Sequence, residues 1–356
     1  MTTHHRQLLI FTGGHHTSAL AVANKLVDRG WLVAWFGHRH SLWGDTADSA
    51  EYRDVTNSHI AFYDLQAGKF YRSLHPAKLL RLPLGFVHAL YLLLKLRPAG
   101  IVSFGGYLAV PTVICGWLLG IPSITHEQTI VAGYANKILS HFVKKIALTW
   151  PQSFSHYPTS KTTITGLPLR TPFPKHRIRN SSSTSPTVYI TGGKQGSHIL
   201  NLAVFGAIDQ LTKRYHLIHQ TGASSLTDDQ AIAKKFARHY PRRYHPFGFD
   251  SSLALTALTT ADIVVSRAGA HTVYELGILG TPSVLIPIPW SSHNEQALNA
   301  AYLADRGLAI VLPQQQLTPD NLVKSIKLAS HIPVHPMQLP SDGLIKLVQL
   351  IESVFV

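Results

Sequence analysis

The feature that most constrains the fold is an opening that occurs twice. QLLIFTGGHH near the start and VYITGGKQGS about midway each run an apolar strand straight into a glycine pair, and from there into a helical pattern. Glycine lets the backbone turn sharply and approach a ligand, and the helix that follows offers N–H groups with no partner inside the helix. After each opening, buried strand signals alternate with helices. The first half has TSALAVANKLVDRG with Gly30 as its stop, then WLVAWFG, AGIVSF, SITHE and KKIALTW. The second has SHILNLAVFGAIDQL, HLIHQTG, DDQAIAKKFARHY, ADIVVS, PSVLIPI and GLAIVLP. Buried strands separated by helices predict a parallel, doubly wound sheet. The fold class is α/β, with two Rossmann-like doubly wound domains expected to face a central cleft. The length of 356 residues also exceeds what one core normally serves.

The expected boundaries follow the composition. Residues 1–165 form the first domain. TGLPLRTPFPKHRIRNSSSTSPT, rich in Pro, Ser, Thr and Arg, marks a linker over 166–186. The second domain spans 187–340. Residues 341–356 read as a terminal amphipathic helix starting at a Ser/Asp cap and packing back on the first domain.

Charge narrows the partners. The 32 Lys and Arg against 18 Asp and Glu give a formal charge of +14, which favours an anionic partner: nucleic acid, an anionic membrane face or a phosphorylated ligand. No RRM, KH or helix-turn-helix signature supports nucleic acid. The single cysteine, Cys115, rules out an internal disulfide and suits a reducing compartment. No secretory signal is read at the start. The uncharged run YLAVPTVICGWLLGIPSI has the length of a membrane span, but Pro111, Gly116, Gly120 and Pro122 break it into a short helix and a strand. The 22 histidines are joined by no Cys or carboxylate cluster, so neither a metal nor another cofactor is expected.

The loops after the strands are the candidates for chemistry, because ligands of open α/β sheets bind beyond the strand C-termini. Neither glycine loop has Walker A or G-x-G-x-x-G spacing. Glu275 falls in the first turns of a helix that starts near Ala270. It is either a carboxylate stabilised by the helix dipole or a bidentate acceptor for two ribose hydroxyls. Glu295 and Gln296 are either ordinary first-turn residues or ligands for sugar hydroxyls, which an amide suits because it both donates and accepts. Residues 70–97, FYRSLHPAKLLRLPLGFVHALYLLLKLR, combine large apolar residues with Lys78, Arg81, Lys95 and Arg97 and hold no acid. They read equally as a core helix with basic ends or as a peripheral contact with an anionic leaflet.

Several long segments carry a family resemblance. In chain order they are TGGHHTSALAVA, SFGGYLAVPTV, GIPSITHEQTIVAGYANKIL, TGLPLR, TGGKQGSHILN, HQTG, SRAGAHTVYELGILGTPSVLIPIP, NEQALNA and LTPDNL. They resemble the MurG family, which adds N-acetylglucosamine to lipid I on the cytoplasmic side of the membrane and makes lipid II for peptidoglycan. The resemblance covers nearly the whole chain and implies a GT-B fold. It implies an inverting transfer from UDP-N-acetylglucosamine to the MurNAc 4-hydroxyl, by a peripheral protein at the cytoplasmic face of the cell membrane. A related transferase acting on another lipid acceptor, such as diacylglycerol, is the alternative.

By resemblance Glu275 holds the ribose, Gln296 and Glu295 the sugar hydroxyls, and Ala270, His271 and Thr272 the pyrophosphate, with Arg267 nearby. Phe249 falls near the uracil position. Gly193, Lys194 and Gln195 in the second glycine loop, Asn201 after it and Arg170 in the linker complete the substrate-binding set. Thr12, Gly13, Gly14 and His15 match the first loop; Tyr107, His126, Glu127, Thr129 and Asn136 match further cleft positions. A histidine suits the general base, since its ordinary pKa lies near the working pH; His15 is the first choice, with His126 and then Glu127 behind it. The resemblance also turns 70–97 toward the membrane, with Lys137, Lys144 and Lys145 extending the basic rim. Four departures stand out: the first glycine loop is shortened, Thr129 and Leu167 each replace an Asn, and Lys194 replaces a Ser.

Overall fold

The computed structural model describes residues 7–40, 48–67, 81–169, 173–178, 185–224, 226–291 and 294–356, without the side chains of 81 and 82. The chain divides into two compact units. Unit 1 comprises Met1–Pro172 and Pro340–Val356, and unit 2 comprises Phe173–Leu339.

In unit 1 the order is β1 (Leu8–Thr12), α1 (His16–Asp28), β2 (Leu32–Gly37), α2 (Ala50–Asn57), β3 (Ala61–Asp64), α3 (Arg81–Leu96), β4 (Gly100–Ser103), α4 (Ala109–Leu118), β5 (Ser123–Glu127), α5 (Tyr134–Leu139), β6 (Lys145–Leu148) and β7 (Thr162–Ile164). The strands form one parallel sheet in the order β3-β2-β1-β4-β5-β6-β7. Side chains alternate between its faces. Ile10 and Phe36 pack with α3 and α4 on one face, while Leu9, Phe11 and Trp35 pack with α1 on the other. Covering both faces explains why these strands are apolar throughout rather than alternating with polar residues. Across the second face Trp35, Phe11 and Phe104 stack at 6.0 and 6.2 Å, and His126 continues the row 5.2 Å from Phe104.

Unit 2 runs β8 (Thr187–Thr191), α6 (His198–Thr212), β9 (His216–Gln220), α7 (Asp229–His239), β10 (Tyr244–Phe247), α8 (Ser251–Thr260), β11 (Ile263–Ser266), α9 (Ala270–Leu279), β12 (Ser283–Leu285), α10 (Glu295–Ala304), β13 (Ala309–Val311) and α11 (Pro319–Ala329). Its parallel sheet has the order β10-β9-β8-β11-β12-β13, which repeats the winding of unit 1.

The last helix, α12 (Gly343–Phe355), belongs to unit 1. Leu344, Leu347, Val348, Ile351 and Phe355 join the core on the α1 face, and Arg29 pairs with Glu352 at 2.6 Å. The Phe355 ring occupies the space a side chain at Gly100 would need: a Cβ there would lie 2.2 Å from it. The expected Ser/Asp cap takes another form. Asp342 is the N-cap residue but makes no capping bond with its side chain, and it pairs instead with Lys346 at 3.0 Å.

No helix among the described residues is long and apolar enough to cross a membrane. The uncharged run becomes α4 and β5, separated at Gly120. Helix α3, the part of 70–97 that is described from residue 81 on, packs one face on the core and leaves another open. Ala89, Leu92 and Leu93 face the core, while Leu84, Val87, Tyr91 and Leu94 form an exposed apolar stripe beside Lys95.

Candidate active site

In each sheet the winding reverses direction beside the first strand, at β1/β4 and at β8/β11. The loops leaving such a pair diverge, and the crevice they open is where ligands of this architecture bind.

In unit 1 the loop after β1 closes against the loop after β4. The Gly14 N–H donates to the Gly105 carbonyl at 3.2 Å. Gly13 has φ of +135°, and a Cβ there would lie 2.7 Å from the Phe104 nitrogen, so both conformation and space demand glycine. Thr12 is fully buried beneath the loop. His15 then stands at the N-cap of α1, half-buried and without a side-chain capping bond. Next to it, His16 Nε2 lies 3.1 Å from Asp54 Oδ2 on α2. Tyr107, half-buried after β4, stacks obliquely 5.6 Å from His38, and burial raises its pKa.

His126 and Glu127, the other two catalytic candidates, have internal duties. His126 is 1% exposed, with Nε2 placed 3.2 Å from Thr149 Oγ1 and 3.4 Å from the Gly166 carbonyl. Burial lowers its pKa to about 4, and the nearby His15 adds to the shift. Glu127 is equally buried and accepts from Thr129 N and Oγ1, Gly133 N, Asn136 Nδ2 and Tyr157 Oη. Burial alone would raise its pKa; the hydrogen bonds led by Thr129 outweigh that and hold it below the ordinary carboxylate value. A carboxylate accepting five hydrogen bonds has little capacity left for a substrate proton. It acts as a buckle for the 127–136 loop. Thr129 and Asn136 belong to the same buckle, and Asn136 also sits under Gly105, where a Cβ would meet its amide at 2.8 Å.

In unit 2 the glycine loop after β8 crosses the loop after β9. A Cβ on Gly196 would lie 2.0 Å from the Thr221 carbonyl oxygen, and φ there is +83°. Tyr189 Oη donates to Gln220 Oε1 at 2.7 Å, and Gln220 Nε2 donates to the Gly193 carbonyl at 2.8 Å, which fixes the loop from below. Gly193 and Gln195 are exposed at its tip, and Lys194 Nζ lies 5.9 Å from the centre of the Phe249 ring.

Arg267, directly after β11, ties three loops together. Its Nη2 donates to Ser197 Oγ at 2.7 Å and its Nη1 to the Ile286 carbonyl at 3.1 Å. Its Nε is buried with no partner among the described residues, and burial lowers its pKa. Helix α9 then begins at Ala270 behind Gly269, whose position supplies no side-chain cap. The first-turn N–H groups of Ala270, His271 and Thr272 have no acceptor within the helix, and the dipole adds positive potential there. Glu275 is half-buried on the second turn, close enough to Tyr189 that its charge adds to the rise burial gives that phenol's pKa.

In the first turn of α10, Gln296 Oε1 accepts from the Ile288 N–H of the loop after β12 at 3.1 Å, which leaves Nε2 as a donor; Glu295 is half-buried beside it. Asn201 is internal. It is fully buried, donates to the Thr221 carbonyl and Asp229, and has Oδ1 3.1 Å from His219 Nε2. Arg170 lies outside the described residues.

Thus Gly13 to His15 and Tyr107 gather at one crevice, with Thr12 buried beneath the loop. Gly193 to Gln195, Phe249, Arg267, Ala270 to Glu275 and Gln296 flank the other. The sequence reading missed the Tyr189–Gln220 strut and the His16–Asp54 pair. Gln220 carried a signal, since it ends a strand just before a Gly; Asp54 carried none. Among the described residues no group of three or more His, Cys, Asp or Glu is placed to hold a metal ion.

Two doubly wound units, each with its loop set beyond the strand C-termini, make a GT-B-like fold. The model of the glycosyltransferase family 28 N-terminal domain matches residues 9–148, and that of the family 28 C-terminal domain matches 187–337. A Shewanella denitrificans protein named UDP-N-acetylglucosamine–N-acetylmuramyl-(pentapeptide) pyrophosphoryl-undecaprenol N-acetylglucosamine transferase is 31% identical over 332 residues, covering 90% of this chain and 87% of its own. A Clostridium kluyveri protein of the same name is 29% identical over 367 residues, covering 97% and 99%. The crystal structure of Acinetobacter baumannii MurG superposes with a TM-score of 0.72 at 26% identity, covering 98% of this chain and 99% of that one. The chain belongs to glycosyltransferase family 28 and is a MurG-like enzyme of that family.

Proposed function

We propose that this enzyme transfers N-acetylglucosamine from UDP-N-acetylglucosamine to the MurNAc 4-hydroxyl of lipid I. The observation that carries the donor half is the set of groups around the start of α9. An uncapped helix N-terminus lies beside the part-buried Arg267 guanidinium, with the Glu275 carboxylate one turn further along. Such a set suits a nucleoside diphosphate: N–H groups and guanidinium for the pyrophosphate, carboxylate for the ribose diol. Lys194 adds a cation where the family has a hydroxyl. Phe249, 39% exposed, offers a face to the pyrimidine, and Gln296 Nε2 a donor to the sugar.

In the reaction the acceptor oxygen attacks the anomeric carbon from the side opposite UDP. The bond from that carbon to the phosphate oxygen breaks, its electron pair leaves with UDP, and the configuration inverts. His15 takes the acceptor proton. The charge developing on UDP is stabilised by the helix N–H groups, Arg267 and Lys194. The exposed stripe on α3, together with Trp117 and Leu118 at the end of the adjoining α4 and the nearby Lys95, supports docking on an anionic membrane, which a lipid-linked acceptor requires. The names of the relatives support the same donor and acceptor.

The test is transfer of labelled N-acetylglucosamine from the UDP-sugar to lipid I, followed by chromatography of the lipid product. Transfer to lipid I but not to diacylglycerol is the expected result. Labelled diacylglycerol with unlabelled lipid I would overturn the acceptor assignment and keep the donor.

A further inference from the structure

The excess positive charge is not concentrated at the candidate donor site, where Lys194 and Arg267 are matched by Glu275 and Glu295. In unit 2 it gathers at the opposite edge of the sheet. Helices α6 and α11 end there side by side, at the N-terminal ends of the strands. A groove of about 260 Å³ between them is lined by Gln210, Lys213, Arg214, Tyr215, Val323 and Lys327. It holds three cations and no carboxylate. None of the three is in an ion pair among the described residues. The two acids nearby lie outside the groove's lining and are held by neutral donors rather than by its cations: Asp209 accepts from Tyr240 Oη, and Asp320 lies 3.5 Å from Gln210 Nε2. Arg242 and Arg243 precede β10 on the same edge, and Arg243 binds the neutral Ser185 hydroxyl.

Like charges this close repel one another. The negative ends of two helix dipoles offset part of that repulsion, but a dipole end amounts to only about half a charge. We propose that this groove is a second anion site, separate from the donor site, and that it takes a compact phosphate-bearing anion. The groove is smaller than the roughly 300–1,000 Å³ typical of sites for larger ligands, which favours a small, multiply charged occupant. The Arg214 fork matches phosphate oxygens, two ammonium groups add charge, and Tyr215 and Gln210 supply neutral donors.

The test is calorimetric titration of the full chain with pyrophosphate in the presence of saturating UDP, which blocks the donor site. One saturable binding event is expected. It should weaken at least tenfold in the triple variant Lys213→Gln/Arg214→Gln/Lys327→Gln and weaken in Lys327→Gln alone. No saturable heat in the wild type, or equal affinity in the triple variant, overturns the site. If the cations merely neutralise the helix ends, the triple variant will melt at a lower temperature with pyrophosphate binding unchanged. Flotation with phosphatidylglycerol against phosphatidylcholine vesicles identifies the source of the phosphate. A deficit of the triple variant on phosphatidylglycerol alone assigns it to a lipid headgroup, and equal flotation of both proteins assigns it to a free anion. Neither arm depends on which sugar or acceptor the enzyme uses.

Discussion

Glu275 and His15 are the two side chains on which the reaction proposed above depends most, and they should fail differently. Replacing Glu275 by Ala removes a charged acceptor worth about 1.5–3 kcal/mol, so the donor KM should rise roughly ten- to a hundredfold while the melting temperature holds. Unchanged donor kinetics would remove the ribose role. His15→Ala should lower single-turnover transfer by about two to four orders of magnitude with donor affinity near normal. A near-wild-type rate would move the search to the neighbouring His16–Asp54 pair rather than to His126 or Glu127, which the fold uses internally. The sequence offered His15, His126 and Glu127 alike as catalytic candidates, and Asn201 as a substrate-binding one. Motif position cannot distinguish a side chain on a ligand surface from one just beneath it, because both sit at strand ends. Burial and donor counts separate them: Glu127 with five donors and Asn201 with every group engaged are frame residues.

Two elements invite tests of their own. Gly100 and Phe355 share one space, so Gly100→Ala should destabilise unit 1 by displacing the ring, and Phe355→Ala should cost about 3 kcal/mol through the cavity it leaves. Because the smaller residue removes the obstacle, the double variant should be more stable than the sum of the two predicts; strict additivity in denaturant melts would contradict the packing. On α3, Val87→Glu with Leu94→Glu places charge on the exposed stripe and leaves the core face intact. Vesicle binding should drop while turnover of a short-chain, water-soluble acceptor persists; parallel loss of both would point to misfolding. The positions of these helices were legible from apolar periodicity. Whether α3 would leave an apolar face open was not, since periodicity shows that residues are apolar but not how many faces find a partner. The Asp342 cap was misjudged for a similar reason: a Ser-Asp pair before a helix also permits an i,i+4 ion pair with Lys346.

For the whole molecule, pH should act through two buried histidines. His126 and His219 have pKa values lowered by burial to about 4 and about 3. Above their ordinary value of about 6.5 both are neutral, folded or unfolded, and neither affects stability. As the pH falls below that value the unfolded chain takes up protons that the folded one refuses, so stability declines. The decline from this source should begin near pH 6.5 and level off below the folded values. His219→Gln, which keeps a donor and an acceptor beside Tyr244 and Asn201, should flatten the dependence of melting temperature on pH over that window. An unaltered slope would show that His219 is not a source of it. At this scale the sequence was most readable, because two glycine-ended strands followed by alternating buried strands and helices admit few windings. It did not show how each loop pair is braced, since those contacts join residues far apart in the chain.

The return of α12 to unit 1 bears on how the protein is made. Residues 340–356 are translated after all of unit 2, yet Leu347, Val348 and Ile351 complete the core that Leu9 and Phe11 begin. Synthesis usually lets the N-terminal domain fold first. Here unit 2 can close while the ribosome still holds the helix its predecessor lacks, and an apolar face of the older unit stays open for the whole of that interval. A nascent chain arrested before residue 340 should therefore recruit chaperones through its first half, not through its most recently made part.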